Sequence, residues 1–200
     1  IDVEILEDTR FLCSTQQFRE FAGSKKSLLM ESFYRQMRTQ YNILMHQDKP
    51  IGGKWNYDKK NRQAAKANLQ VPQPYSNQPD TITREIINLV SDKFANHFGD
   101  IEPFNFAVTS TQAKDALKKF IDERLTDFGT YQDAMLENQD FMFHSHIGWY
   151  LNNGLLDPLE TIKLYLLLTY YACLEYIFLK KSCASVCIRI ILSGVNFAST

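Results

Sequence analysis

The chain has 200 residues, 44% of them hydrophobic and 13% aromatic, which is enough apolar material for a buried core and too much for a disordered chain. A net charge of −1 excludes a globally basic binder of nucleic acid. The charge is uneven, however: Arg19 to Lys66 carries eleven basic residues against four acidic ones, a pattern that suits a solvated helix face or a surface that follows phosphates.

Cys13, Cys173, Cys183 and Cys187 show no Cys-x-x-Cys spacing, so no metal site is expected and a reduced, intracellular chain (cytoplasmic, with organelle or nucleus open) is the simplest reading. Ile1 is followed by Asp2 and Glu4 without the basic-then-apolar order of a signal peptide, and a start without Met points to an N-terminally incomplete chain.

Ile1, Val3 and Ile5 alternate with Asp2 and Glu4, the period of a half-buried strand, whose sheet partners are expected before Ile1. Ser14 with Gln17 predicts a capping box opening a short helix through Phe21, ended by Gly23. Ser24 is the expected cap of a second helix, whose Leu29, Phe33, Met37, Tyr41 and Leu44 form an apolar stripe with Arg35 and Arg38 off it.

From Pro50 the helical pattern gives way to PIGGKWNYDKKNR. Trp55 and Tyr57 among Lys54, Lys59, Lys60 and Arg62 read either as an aromatic anchor pinning a linker to a surface or as a stacking platform for nucleic acid; the anchor is the commoner case. VPQPYSNQP, residues 71–79, is a connector that cannot be helical and marks the expected domain boundary. Asp80 or Thr81 should cap a third helix that buries Ile86, Ile87, Val90 and Phe94 and ends near Gly99. Thr109 and Gln112 form another capping box before Ala113, Ala116, Leu117, Phe120, Ile121, Leu125 and Phe128 at helical spacing.

Gly129 is expected to close that helix, with Tyr131 directly after it. His144 and Ser145 then lie between an aromatic run, Phe141 to Phe143, and a second apolar segment. A tyrosine, a histidine and a hydroxyl at a helix start can hold an anion, because the first backbone N–H groups of a helix are unpaired. Caps and turns are the commoner explanation of such a cluster. His146 reads as a surface or satisfied histidine.

Three ordered blocks carry a family resemblance: GGKWNYDKKNR at residues 52–62, FGDIEPFNFAVTSTQA at 98–113, and FGTYQDAMLENQDFMFHSHIGWYLNNGLLDPLE from Phe128. They are similar to the cryptochrome and photolyase superfamily, in the photolyase-related branch that includes iron-sulphur bacterial cryptochromes and (6-4) photolyases. The resemblance implies a mostly α fragment with one leading edge strand from an α/β domain. Residues 1–50 would end an N-terminal antenna-type domain, 51–105 would be an interdomain region, and 106–200 would start a helical FAD-binding domain. In that family a tyrosine and a Ser-x-Leu-Ser motif hold the flavin diphosphate. The tyrosine corresponds to Tyr131, His144 and Ser145 fall at the first motif positions, and Ile147 takes the leucine's place. Gly148 stands where the second serine would be, offering an N–H without the hydroxyl, and Trp149 replaces a proline or small residue. FAD is the implied cofactor. A lumazine antenna and a 4Fe-4S cluster are implied for the family at full length, with the cluster ligands outside this chain.

TIKLYLLLTYYACLEYIFLKK, from Thr161, is interrupted by Lys163 and Glu175 and reads as a buried helix, so no membrane span is expected. CIRIIL at 187–192 resembles the family, but SGVNFAST after it does not, so an interior piece with a degraded or misframed end is expected. The function implied by resemblance is light-dependent repair of ultraviolet pyrimidine lesions in damaged DNA by electron transfer from reduced FAD, in a monomer. The alternatives are a cryptochrome-like photoreceptor and a non-catalytic helical module. No catalytic or metal-binding residue is assigned within the chain.

Overall fold

A computed structural model describes residues 2–4, 6, 11–23, 25–55, 63–66, 68–131 and 133–171. Tyr57, Lys59, Lys60, Arg62, Ser24, Cys173, Cys183, Cys187 and the 187–192 segment lie outside them.

Of the expected leading strand, Ile1 and Ile5 lie outside the described residues, and Asp2, Val3, Glu4 and Leu6 belong to neither helix nor strand. Alternation alone does not make a strand without a neighbour to satisfy its backbone. Helix α1 spans Thr15–Gly23 and opens with the predicted reciprocal box, Gln17 N donating to Ser14 Oγ at 3.1 Å and Ser14 N to Gln17 Oε1 at 2.9 Å. Helix α2 spans Met30–Gln40, later than a cap at Ser24 would start it, and its N-cap Leu29 makes no side-chain cap bond. Phe33 and Met37 are buried as predicted, whereas Leu29 is exposed.

Arg38 departs most from its sequence reading, being only 2% exposed. Its Nε donates to Ile43 O at 3.1 Å, Nη2 to Leu44 O at 2.8 Å, and Nη1 to Trp55 O at 3.0 Å and the Tyr34 hydroxyl at 3.2 Å. The Arg35 and Arg38 guanidinium carbons each lie 5.3 Å from the Trp55 ring centroid. Trp55 is thus the anchor of its segment, held by its carbonyl and its ring. Between Arg38 and Trp55 the chain makes an antiparallel hairpin, β1 (Met45–His46) and β2 (Lys49–Pro50), turned by Gln47 and Asp48 at φ 45° and 61°. Two-residue strands have no readable period, so this element left no pattern in the sequence.

The connector at 71–79 is free of helix and strand. Helix α3, Thr81–Lys93, is capped by Asp80, which accepts from Thr83 N at 2.8 Å. Its burial differs from expectation: Ile87 is buried, but Ile86 and Phe94 are each 52% exposed. Periodicity predicts a face, and only a neighbour can cover it.

Helix α4, Ser110–Glu123, is the hub, packing on α5 (Leu125–Tyr131), α6 (Ile147–Asn152) and α7 (Pro158–Tyr171). Its predicted core face is buried in full, including Ala113, Leu117, Phe120 and Ile121. Gln112 N donates to Thr109 Oγ1, although the Gln112 side chain caps the Val108 N–H rather than that of Thr109. Gly129 does not end the helix: it is buried inside α5, and Tyr131 is the last residue of α5. One contiguous cluster joins Phe21, Phe33 and Met37 to Leu117, Leu125, Ile147, Tyr150, Ile162 and Tyr165. No helix among the described residues is long and apolar enough to cross a membrane.

Candidate functional site around the 141–148 loop

The sequence-predicted residues come from two elements. Tyr131 ends α5, while His144 and Ser145 belong to the loop before α6, with Ile147 and Gly148 in its first turn. The helix therefore starts at Ile147 rather than at His144, and His146 is its N-cap in the left-handed region at φ 55°, without a side-chain cap bond. Tyr131 is brought to the loop by its ring, which stacks on Phe143 with centroids 5.5 Å apart and planes 25° apart. Ile147 is buried and serves packing, and Ser145 and Gly148 are half-buried.

Of the two expected readings His146 takes the satisfied one, half-buried among rings. It stacks on Trp149 at 5.4 Å and meets Phe141 edge-on at 4.9 Å, and Trp149 in turn meets Phe106 at 4.4 Å. Burial pushes its pKa down to about 4, with the Arg124 guanidinium and His144 acting in the same direction. The His144 pKa is lowered by desolvation first and Arg124 second, with Asp133 opposing.

Arg124, which ties the loop down, is absent from the sequence reading. It is 3% exposed at the α4 C-cap, where the helix dipole favours a cation. Its Nε donates to Pro72 O at 3.1 Å, Nη1 to His144 O at 2.7 Å and Nη2 to Met142 O at 2.5 Å. Burial lowers the guanidinium pKa, partly offset by Glu123. A signal existed: position 124 follows Phe120 by four and Ile121 by three, on the buried stripe, so a charged residue there needs buried partners.

The donor set suits an anionic group such as a flavin diphosphate. Among the described residues nothing bonds to the Tyr131 or Ser145 hydroxyl, and the cation beneath the loop is bonded only to carbonyls. No group of three or more metal-ligating side chains occurs among the described residues. An apolar cavity of about 490 Å³ lies elsewhere, between α1 and the start of α2, lined by Cys13, Phe18, Phe21, Leu28 and Phe33 among others.

Comparison with known proteins places this chain in a family. The family of deoxyribodipyrimidine photo-lyase-related proteins matches residues 1–106. A (6-4) photolyase of Agrobacterium fabrum is 47% identical over 163 residues, 82% of this chain and 32% of that protein. An uncharacterized protein of Acanthamoeba polyphaga mimivirus is 41% identical over 61 residues, 28% of this chain and 31% of that protein. The chain spans about a third of the length of these curated relatives. Because the family match covers more than half of its residues, the chain belongs to the deoxyribodipyrimidine photo-lyase-related proteins.

Proposed function

We propose that this chain is part of a photolyase-like flavoprotein that binds FAD and repairs ultraviolet pyrimidine lesions in DNA under light. The observation that carries the reading is the 47% identity to a (6-4) photolyase, which runs over 163 residues. In this reading residues 1–50 close an antenna-type domain, 51–105 connect, and 106–200 open the flavin-binding helical domain.

Reduced FAD would supply the electron that opens the lesion and recover it afterwards. The chain's own part is binding and orientation. Tyr131, set by its stack on Phe143, and Ser145, one residue beyond the tethered His144 carbonyl, would donate their hydroxyls to the diphosphate. Gly148 would contribute an N–H. Desolvation first and Arg124 second lower the His144 pKa and so favour the neutral imidazole, which can act as donor or acceptor. Damaged DNA is the proposed partner. The lumazine antenna and the 4Fe-4S cluster receive no residue of this chain.

The test is made in a full-length protein containing these residues. Tyr131→Phe and Ser145→Ala together should lower the flavin retained through purification by at least about tenfold, two charge-assisted hydrogen bonds being lost. Unchanged flavin content would remove both residues from the site. Ultraviolet-damaged DNA should lose its lesions under blue light with the parent protein. Flavin photoreduction with the lesions left intact would favour the photoreceptor.

A further inference from the structure

Arg124 has a role that its burial alone does not explain. Its three bonds reach chain segments 52, 20 and 18 residues away: the connector at Pro72 and both ends of the Met142–His144 turn. Two non-glycine residues here, Met142 at φ 41° and His146 at φ 55°, sit in the left-handed region that L side chains disfavour. Such a loop keeps its shape only if its surroundings over-determine it, and the carbonyls that Arg124 holds are those of Met142 itself and of His144, two residues before His146. Among the described residues the guanidinium bonds no carboxylate, and its charge adds to desolvation, the larger cause, in depressing the pKa of His144 and of His146. Among the described residues Asp133 is the acid that acts on His144, and Glu123 the acid that acts on Arg124.

We propose that Arg124 is the positioning residue of the diphosphate loop: it fixes the Met142–His144 backbone so that Ser145 faces the anion, and it supplies positive charge from below. This rests on the flavin reading of Tyr131 and Ser145. It extends that reading to a residue that need not touch the cofactor.

The experiment compares two ligands in the full-length apoprotein, FAD and riboflavin, which share the ring system and ribityl chain, FAD alone adding the anionic diphosphate and the uncharged adenosine. Arg124→Gln should weaken FAD by about tenfold or more and riboflavin by less than about threefold, since only FAD carries the anion. Arg124→Lys keeps the charge without the three-way fork and should recover part of the FAD affinity. Should Arg124→Gln not fold, the lysine variant alone decides, by whether its loss is larger for FAD. Equal losses for both ligands, or none, would overturn the inference and leave Arg124 a packing residue. Ser145→Ala is run beside them. An FAD-selective loss there without one at Arg124 overturns only this inference, whereas no selective loss in any variant overturns the flavin site itself.

Discussion

Replacing Arg38 by methionine tests whether the cation under Trp55 holds the N-terminal half together. Methionine keeps much of the length and apolar stem but removes all four donor contacts, to Ile43, Leu44 and Trp55 carbonyls and the Tyr34 hydroxyl. The Ile43 carbonyl loses a buried partner, at about 1 to 3 kcal/mol, whereas the Tyr34 hydroxyl keeps its own bond to Trp55 O at 3.3 Å and loses less. The Leu44 and Trp55 carbonyls are half-buried and regain water, so they add less. Trp55 also loses one of its two cation contacts while keeping Arg35. The sum is a destabilisation of about 2 to 3 kcal/mol, or a fall in Tm on the order of 5 to 10 °C for a domain of this size. The chain has two tryptophans, Trp55 and Trp149. Urea unfolding followed by fluorescence in a Trp149→Phe background therefore reports on Trp55 directly. Arg38→Lys should lie between the parent and Arg38→Met, because it retains charge but not the fork. A loss below about 1 kcal/mol in Arg38→Met, at unchanged m, would refute the reasoning and return Arg38 to the solvated face.

Two further outcomes are expected. Ser14→Ala removes one half of the α1 capping box and should cost about 1 kcal/mol in the same unfolding assay, while Ser14→Gly should cost only a few tenths. The depressed His146 pKa makes stability depend on pH. The folded-state value is about 4 against an ordinary 6.5, so the unfolded chain takes up the proton first and stability falls as the pH drops from 6.5 towards 4. The loss should reach at most about 3 kcal/mol, seen as a falling Tm across that window. His146→Gln should flatten the profile, and an unchanged slope would show that His146 is not its source.

Local signals were legible wherever one helical turn suffices to express them. The box at Ser14, the Thr109 half of the box with Gln112, the Asp80 cap and the core face of α4 stand as the spacing predicts. Each depends on residues three or four apart, whose geometry the helix itself dictates. Tyr131, Ser145 and Gly148 could be picked out by family likeness, but the stacking of Tyr131 on Phe143 could not. Ring contacts between elements depend on where the loop runs.

Both buried arginines escaped the sequence for the same reason. A charged residue reads as solvent-facing until the carbonyls that replace its water are known, and those of Arg38 and Arg124 come from segments as far as 17 and 52 residues away. The exposed side of α3 is the converse case, with apolar spacing present and no cover among the described residues. The hairpin at Met45–His46 and Lys49–Pro50 was too short to show a period. By itself the sequence determined the α1 box, the Asp80 cap, the core stripe of α4 and the family. Only the tertiary structure decided which cations are buried and how the 141–148 loop is held, because desolvation and hydrogen-bond satisfaction are properties of neighbours brought together by folding.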